Sequence, residues 1–307
     1  MSKALTLPAP VQRSIEDFAA GFLMPQGAPA FDFGHPLGEP ALVSADSLSW
    51  RIFKNPVTMF IGGVAAVLLE LAEPRVRHGV WDHSNFRTEP LKRLQRTGLA
   101  AMVTIYGPES AARAMIAGVN GMHARVSGTT SGGIAYRADD PELLDWVQAT
   151  AAYGFLEAHS CYVRTLGTAE RDLYYSEAAP AAALYGATGA PTTQAETLAL
   201  LRRMRPKLEP SATLFEFLDI MRRMPALPAA GRPAQAMLVR AAVDIVPHGI
   251  AELLRIGPEW RLRSWERPLV RALARSADSL LLRSSPAVKS CLRLGLPEDY
   301  LYRRAAT

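Results

Sequence analysis

The sequence predicts an all-α fold, and three observations carry that prediction. From residue 47 onward apolar residues recur at helical spacing almost throughout. The periodic stretches open on Pro and close on Gly, the asymmetry that helix termini favour. Runs of strict polar–apolar alternation bounded by hairpin turns are absent. Hydrophobic residues make up 49% of the 307 residues and charged ones 21%, enough apolar material for a substantial core.

Residues 1–46 are rich in Pro and Gly ("MPQGAPAFDFGHPLGEP") and read as an irregular arm after a short helix near 10–22. The most apolar run, "VTMFIGGVAAVLLELA" (57–72), falls about two residues short of a usual membrane span, contains Glu70 and lies between Pro56 and Pro74. It reads as a buried central helix rather than a transmembrane segment. "TEPLKRLQRTGLAAMVTIYG" follows, with Thr88 as expected N-cap, Pro90 in the first turn and Gly107 as terminator. "PESAARAMIAGVNGMHARV" again starts on Pro, and "SGTTSGGIAYRADD" reads as a loop. Asp140 is placed to cap a long helix that ends by Gly167. Further helices are expected near 168–186, 193–207, 211–224, 233–256 (broken at Pro247), 262–282 and 285–294. With no fixed repeat and no long linker, residues 47–307 read as one all-α domain.

The formal charge of +5 comes from 34 Lys+Arg against 29 Asp+Glu, spread along amphipathic segments without a basic block. That pattern is a solvated helix face, and no nucleic-acid partner is expected. Cys161 and Cys291 form no CxxC pair, so neither a disulfide framework nor a zinc site is signalled. The first residues show no apolar signal-peptide core, so a cytoplasmic protein is expected, with homo-oligomerisation left open. No GxGxxG after a strand, Walker loop, GxSxG elbow or HExxH occurs, which removes most nucleotide, hydrolase and zincin classes.

Two clusters remain. His123 sits in "AGVNGMHARVSG" (117–128), where Gly118 and Gly121 each cost the helix roughly 1 kcal/mol relative to Ala. That cost suggests close packing there, against another helix or a flat ligand. Upstream, "RLQRTG" places Arg93 and Arg96 three residues apart on roughly one helix face beside Thr97, just before the helix turns apolar. They read as a solvated arginine pair, or as donors that steady an anion, a peroxide or a propionate at the mouth of an apolar pocket.

The ordered set "FIGGVAAVLLELAEPRVRHGVWDHSNFRTEPLKRLQRTGLAAMVTIYG", "VNGMHARVSG", "YRADDPELLDWVQAT" and "ERDLYYSE" resembles the MpaB and latex-clearing-protein (rubber oxygenase) family, closely over residues 48–190 and more loosely beyond. The resemblance implies a globin-like multi-helix domain enclosing a pocket for haem b, and cleavage of carbon–carbon double bonds of isoprenoid-like, small apolar substrates by dioxygen. It puts His123 at the family's proximal iron ligand. It also puts Arg93, Arg96 and Thr97 at the family's distal Arg-x-x-Lys-Thr motif, with Arg96 in place of Lys. A buried amine can lose its proton and ligate iron, whereas a guanidinium effectively cannot. The sixth position is therefore expected to be open. A second departure is Gln148 in "WVQAT", where relatives carry His; His159, further along the same helix, is a substitute axial ligand to weigh.

Trp81, His83 and Phe86 are candidates for the pocket wall, with a plain core role for the aromatics alongside. Tyr136 and Arg137 could reach a propionate or lie in a surface loop. Glu70 could act as a base if burial raised its pKa, while a helix-end salt bridge is the simpler use of Glu70 and Glu73. The segment Glu170–Asp172 reads as a solvated helix start. Peroxidase-type chemistry, and a non-catalytic haem or gas-binding role, stand as alternatives to the oxygenase.

Overall fold

The computed structural model describes residues 4–6, 12, 16, 31–227 and 231–303; the helix expected near 10–22 lies outside them in all but two positions. The chain folds into successive helices, with one two-stranded ribbon among the described residues. The elements are α1 (Leu48–Phe53), α2 (Pro56–Ala72), α3 (Pro74–Trp81), α4 (Pro90–Tyr106), α5 (Glu109–His123), β1 (Ser127–Thr129), β2 (Ala135–Arg137) and α6 (Pro141–Tyr162). They continue as α7 (Thr168–Leu184), α8 (Gln194–Met204), α9 (Ala212–Arg223), α10 (Arg232–Asp244), α11 (His248–Leu253), α12 (Glu266–Ser279) and α13 (Pro286–Arg293).

At the centre α2 lies against α6, and the two make the most extensive helix pair in the protein. Their backbones meet at Gly62 and Gly154. A Cβ on Gly154 would strike the Gly62 carbonyl, and one on Gly62 would come within 2.8 Å of the Gly154 carbonyl. Asn55 caps α2, its side-chain oxygen accepting from the Val57 and Thr58 amides at 3.1 and 3.2 Å, and Pro56 takes the first turn. One hydrophobic cluster packs α2 and α6 with α3 and α8 to α12; a second packs α1, the buried ends of α4 and α5, α7, α13 and the arm around Phe33 and Val43. No single described helix is long and apolar enough to cross a membrane. Together α2 and α3 pass that test, but they bend by 112° at Glu73, and most of α2 is buried.

Two expectations change in detail. The loop at 127–140 contains an antiparallel ribbon, Ser127 opposite Arg137, too short to carry the alternation that announces a strand. The N-cap position of α4 is Glu89, without a capping side chain, because the Thr88 hydroxyl is turned back to the Asn85 carbonyl at 3.4 Å. The break expected at Pro247 is present: α10 ends at Asp244 and α11 starts at His248, with Pro247 as its N-cap. Asp140 caps α6 as expected, accepting from the Glu142 amide at 2.9 Å.

Candidate functional site

Helices α4 and α5 form an antiparallel hairpin turned at Gly107 and Pro108. Its closed end is sealed into the core. Met102, Val103 and Tyr106 are buried, and the buried Arg293 guanidinium reaches the Tyr106 carbonyl at 2.7 Å, satisfying a carbonyl that the end of α4 leaves free. Toward the other end burial falls away. Leu99, Ala100, Ala101 and Val119 are half-buried, Thr97 is exposed and Met122 is 53% exposed. The far ends of α4 and α5 are thus less buried than the end at Gly107, although Leu99 and Ala101 still pack on the second cluster, and the sequence-predicted residues lie at those far ends.

Being antiparallel, the hairpin sets the first turns of α4 beside the last turn of α5, and Arg93 bears electrostatically on His123. The imidazole is partly buried and held below its ordinary pKa, first by desolvation and then by the Arg93 charge, with Asp139 opposing from the turn between β2 and α6. Among the described residues neither ring nitrogen of His123 has a hydrogen-bond partner. It is a neutral imidazole with a free lone pair, the form that ligates iron. Arg93 donates to the Thr97 hydroxyl at 2.6 Å, and that hydroxyl donates to the Arg93 carbonyl at 3.0 Å, so the i, i+4 pair is fixed as a unit. Arg96 is exposed, with Glu89 and Arg93 as charged neighbours.

Glu70, in the last turn of α2, completes the group. Burial pushes its carboxyl up to about 7, against the pull of the nearby Arg93. Glu73 takes the helix-end role instead. It caps α3 through the Val76 amide at 2.9 Å and accepts from Arg75 Nε at 2.6 Å, while Arg75 also holds Glu142 of α6. The two carboxylates that sequence reasoning treated together have thus separated, one beside Arg93 and one a structural cap.

The glycines beside His123 need a correction. Nothing lies within 4 Å of a Cβ built on Gly118 or Gly121, so no helix packs on them. Nor do they underlie the imidazole. The buried stripe of α5 runs through Ala112 and Ile116 to His123, two turns on, whereas Gly118 and Gly121 sit about 160° and about 140° around the helix from Ile116. A ligand on His123 would rest on the inner stripe where the hairpin opens, not on the glycine face.

Other candidates lie elsewhere. Trp81 is buried, stacked on Phe86 at 5.5 Å and overlain by Arg87 at 5.3 Å, within the first cluster. Tyr136 turns inward, its hydroxyl 3.0 Å from His83 Nε2, and Arg137 spends both ends of its guanidinium on Asp139 at 2.9 and 2.7 Å. Existing partners therefore engage both residues expected at a propionate. Gln148 faces a small recess shared with Tyr175, Ala182 and Pro191. Glu170 and Arg171 do more than face solvent: Glu170 closes the start of α7 by accepting from the Gly167 amide, and Arg171 ties α7 to Glu157 of α6. His159 is buried in the last turn of α6, among Asp278, Lys54 and Arg164. The first turn of α6 follows Asp139, the residue near His123, so about 28 Å of helix separates His159 from this site. One flat ligand could not reach both. Asp139 went unremarked in the sequence; its only signal there is the doubled acid of "YRADD".

A family model described as "ER-bound oxygenase mpaB/B'/Rubber oxygenase, catalytic domain" matches residues 50–278, from α1 to the end of α12. The chain belongs to this family. Membership brings oxygenase-type chemistry as the coarse function, and the matched span contains the whole α4–α5 hairpin with Arg93, Arg96, Thr97 and His123. No curated protein and no solved structure matches the chain.

Proposed function

We propose that this protein is a haem b-dependent oxygenase that acts with dioxygen on a small apolar, electron-rich substrate of isoprenoid-like character. The observation that carries the reading is the neutral, unbonded His123 imidazole set beside Arg93 and Thr97 where the hairpin opens. The donor set fits the group. Haem needs one imidazole rather than a cage of ligands, and among the described residues no cluster of three or more His, Cys, Asp or Glu competes for a metal. Half-buried Leu99, Ala100, Ala101 and Val119 offer the apolar surface a macrocycle needs.

Bound haem would supply the oxygen-activating redox chemistry, and the chain sets its conditions. His123 would supply the nitrogen donor to the iron, its protonation disfavoured by burial and by Arg93. Arg96 cannot shed its proton, so it would donate hydrogen bonds rather than ligate iron, and its donors, with those of Arg93 and Thr97, would steady an anionic group held in the site. Glu70, titrating near neutrality, holds a proton within reach of Arg93 and can release it at physiological pH.

Oxygen uptake by the haem-loaded protein with a dispersed isoprenoid alkene tests the reading directly. Substrate-dependent uptake yielding carbonyl fragments is expected. Turnover with hydrogen peroxide but not with dioxygen would replace the oxygenase by a peroxidase, and tight carbon monoxide binding without turnover would leave a gas-binding protein.

A further inference from the structure

We propose that the outer face of α12 docks the protein peripherally on an anionic lipid bilayer. The inference uses neither haem nor substrate and stands independently of the oxygenase reading. Helix α12 is apolar on two sides. Val270 and Ala274 are fully buried against the core, while Trp265, Leu269 and Leu273 point the other way, exposed by 56, 50 and 39%. The outer three follow one another at i, i+4 and i+8, and Pro268 and Ala272, also exposed, fill the ridge between them. Single exposed leucines are ordinary on a protein surface; a contiguous ridge that includes a half-exposed tryptophan is not.

The exposed charges on the ridge helix are positive; the exposed Glu259 lies two residues before Arg261, and Asp244 of α10 is paired with Arg267. Arg261, Arg271 and Arg275 are exposed along the ridge. Arg271 and Arg275 each give Nε to a carbonyl at the end of α6, those of Cys161 and Val163 at 3.1 and 3.0 Å, which sets them at the helix flank. Between Arg261 and Ser276 the chain has one acid, Glu266, and it is 1% exposed and forked onto Arg240. Apolar residues with a tryptophan, flanked by exposed arginines and with no exposed acid between Arg261 and Ser276, are complementary to a bilayer interface carrying acidic headgroups. A second copy fits less well. In a two-fold pairing the same arginines would meet one another with no acid to receive them. A ridge about 12 Å long and about 10 Å wide also falls well short of the ~800 Å² per partner of a stable interface.

The test is co-sedimentation of the full chain with phosphatidylcholine vesicles, with and without about one-third phosphatidylserine. Binding is expected only with the acidic lipid, weakening as salt rises, with a blue shift of tryptophan fluorescence that Trp265→Phe removes. Leu269→Asp combined with Leu273→Asp should lower partitioning on the order of a hundredfold, and Arg261→Gln about fivefold, with the thermal midpoint unchanged because these side chains face solvent. The proposal is overturned by no binding, by equal binding to both vesicle types, by undiminished binding of the double variant, or by a vesicle-free dimer that the double variant dissociates.

Discussion

At Glu70 burial outweighs the Arg93 charge, and the carboxyl titrates near 7 instead of at 4.5. The folded state thus favours the protonated acid, so the stability this group contributes is complete below about 4.5 and is lost as pH rises through about 7. Glu70→Gln keeps the shape and removes the titration. It should leave stability unchanged near pH 4.5 and raise it by about 1–3 kcal/mol at pH 8, read as thermal midpoints across the pH range. His159 has the opposite sign. Burial holds it neutral down to about 4, so its contribution is present above 6.5 and falls away on acidification. His159→Leu should therefore lessen acid unfolding between pH 6.5 and 4. The Arg93–Thr97 pair was legible in the sequence because both partners lie on one helix. The meeting of Glu70, Arg93 and His123 was not, since it depends on how three helices pack.

Among the elements, the contrast between two kinds of glycine is the most instructive. Gly62 and Gly154 sit where α2 and α6 touch backbone to backbone, yet in the sequence each is one small residue in a helical run. Gly118 and Gly121 drew attention by lying near His123, and they face open space. Two variants separate the cases. Gly154→Ala drives a methyl into the Gly62 carbonyl and should cost about 1–3 kcal/mol, seen as a lower denaturation midpoint. Gly121→Ala meets nothing and removes a flexible residue from a helix, so it should add about 0.5–1 kcal/mol without disturbing anything bound at His123. The helices themselves were largely legible, because Pro-first and Gly-last punctuation acts locally. The ribbon, the α4 cap and the Arg293 tie to Tyr106 were not, because each depends on a turn or a partner distant in sequence.

For the whole molecule, two hydrophobic clusters meet along α2 and α6, and the α4–α5 hairpin is anchored at its closed end and open at the other. This arrangement explains how an all-α chain can gather an imidazole, a carboxyl that burial holds near neutrality and a hydroxyl around one guanidinium, Arg93. The family match covers that architecture, and the central claim that remains is that His123 binds haem b. The measurement that tests it most directly is the absorption spectrum, with a pyridine haemochrome assay, of the hemin-reconstituted protein beside its His123→Ala, His159→Leu and Arg96→Ala variants. A stoichiometric b-type Soret band is expected in the parent, lost in His123→Ala and retained in His159→Leu. It should also be retained in Arg96→Ala, there with altered cyanide and carbon monoxide binding. No band in the parent, or an unchanged spectrum in His123→Ala, would contradict the account.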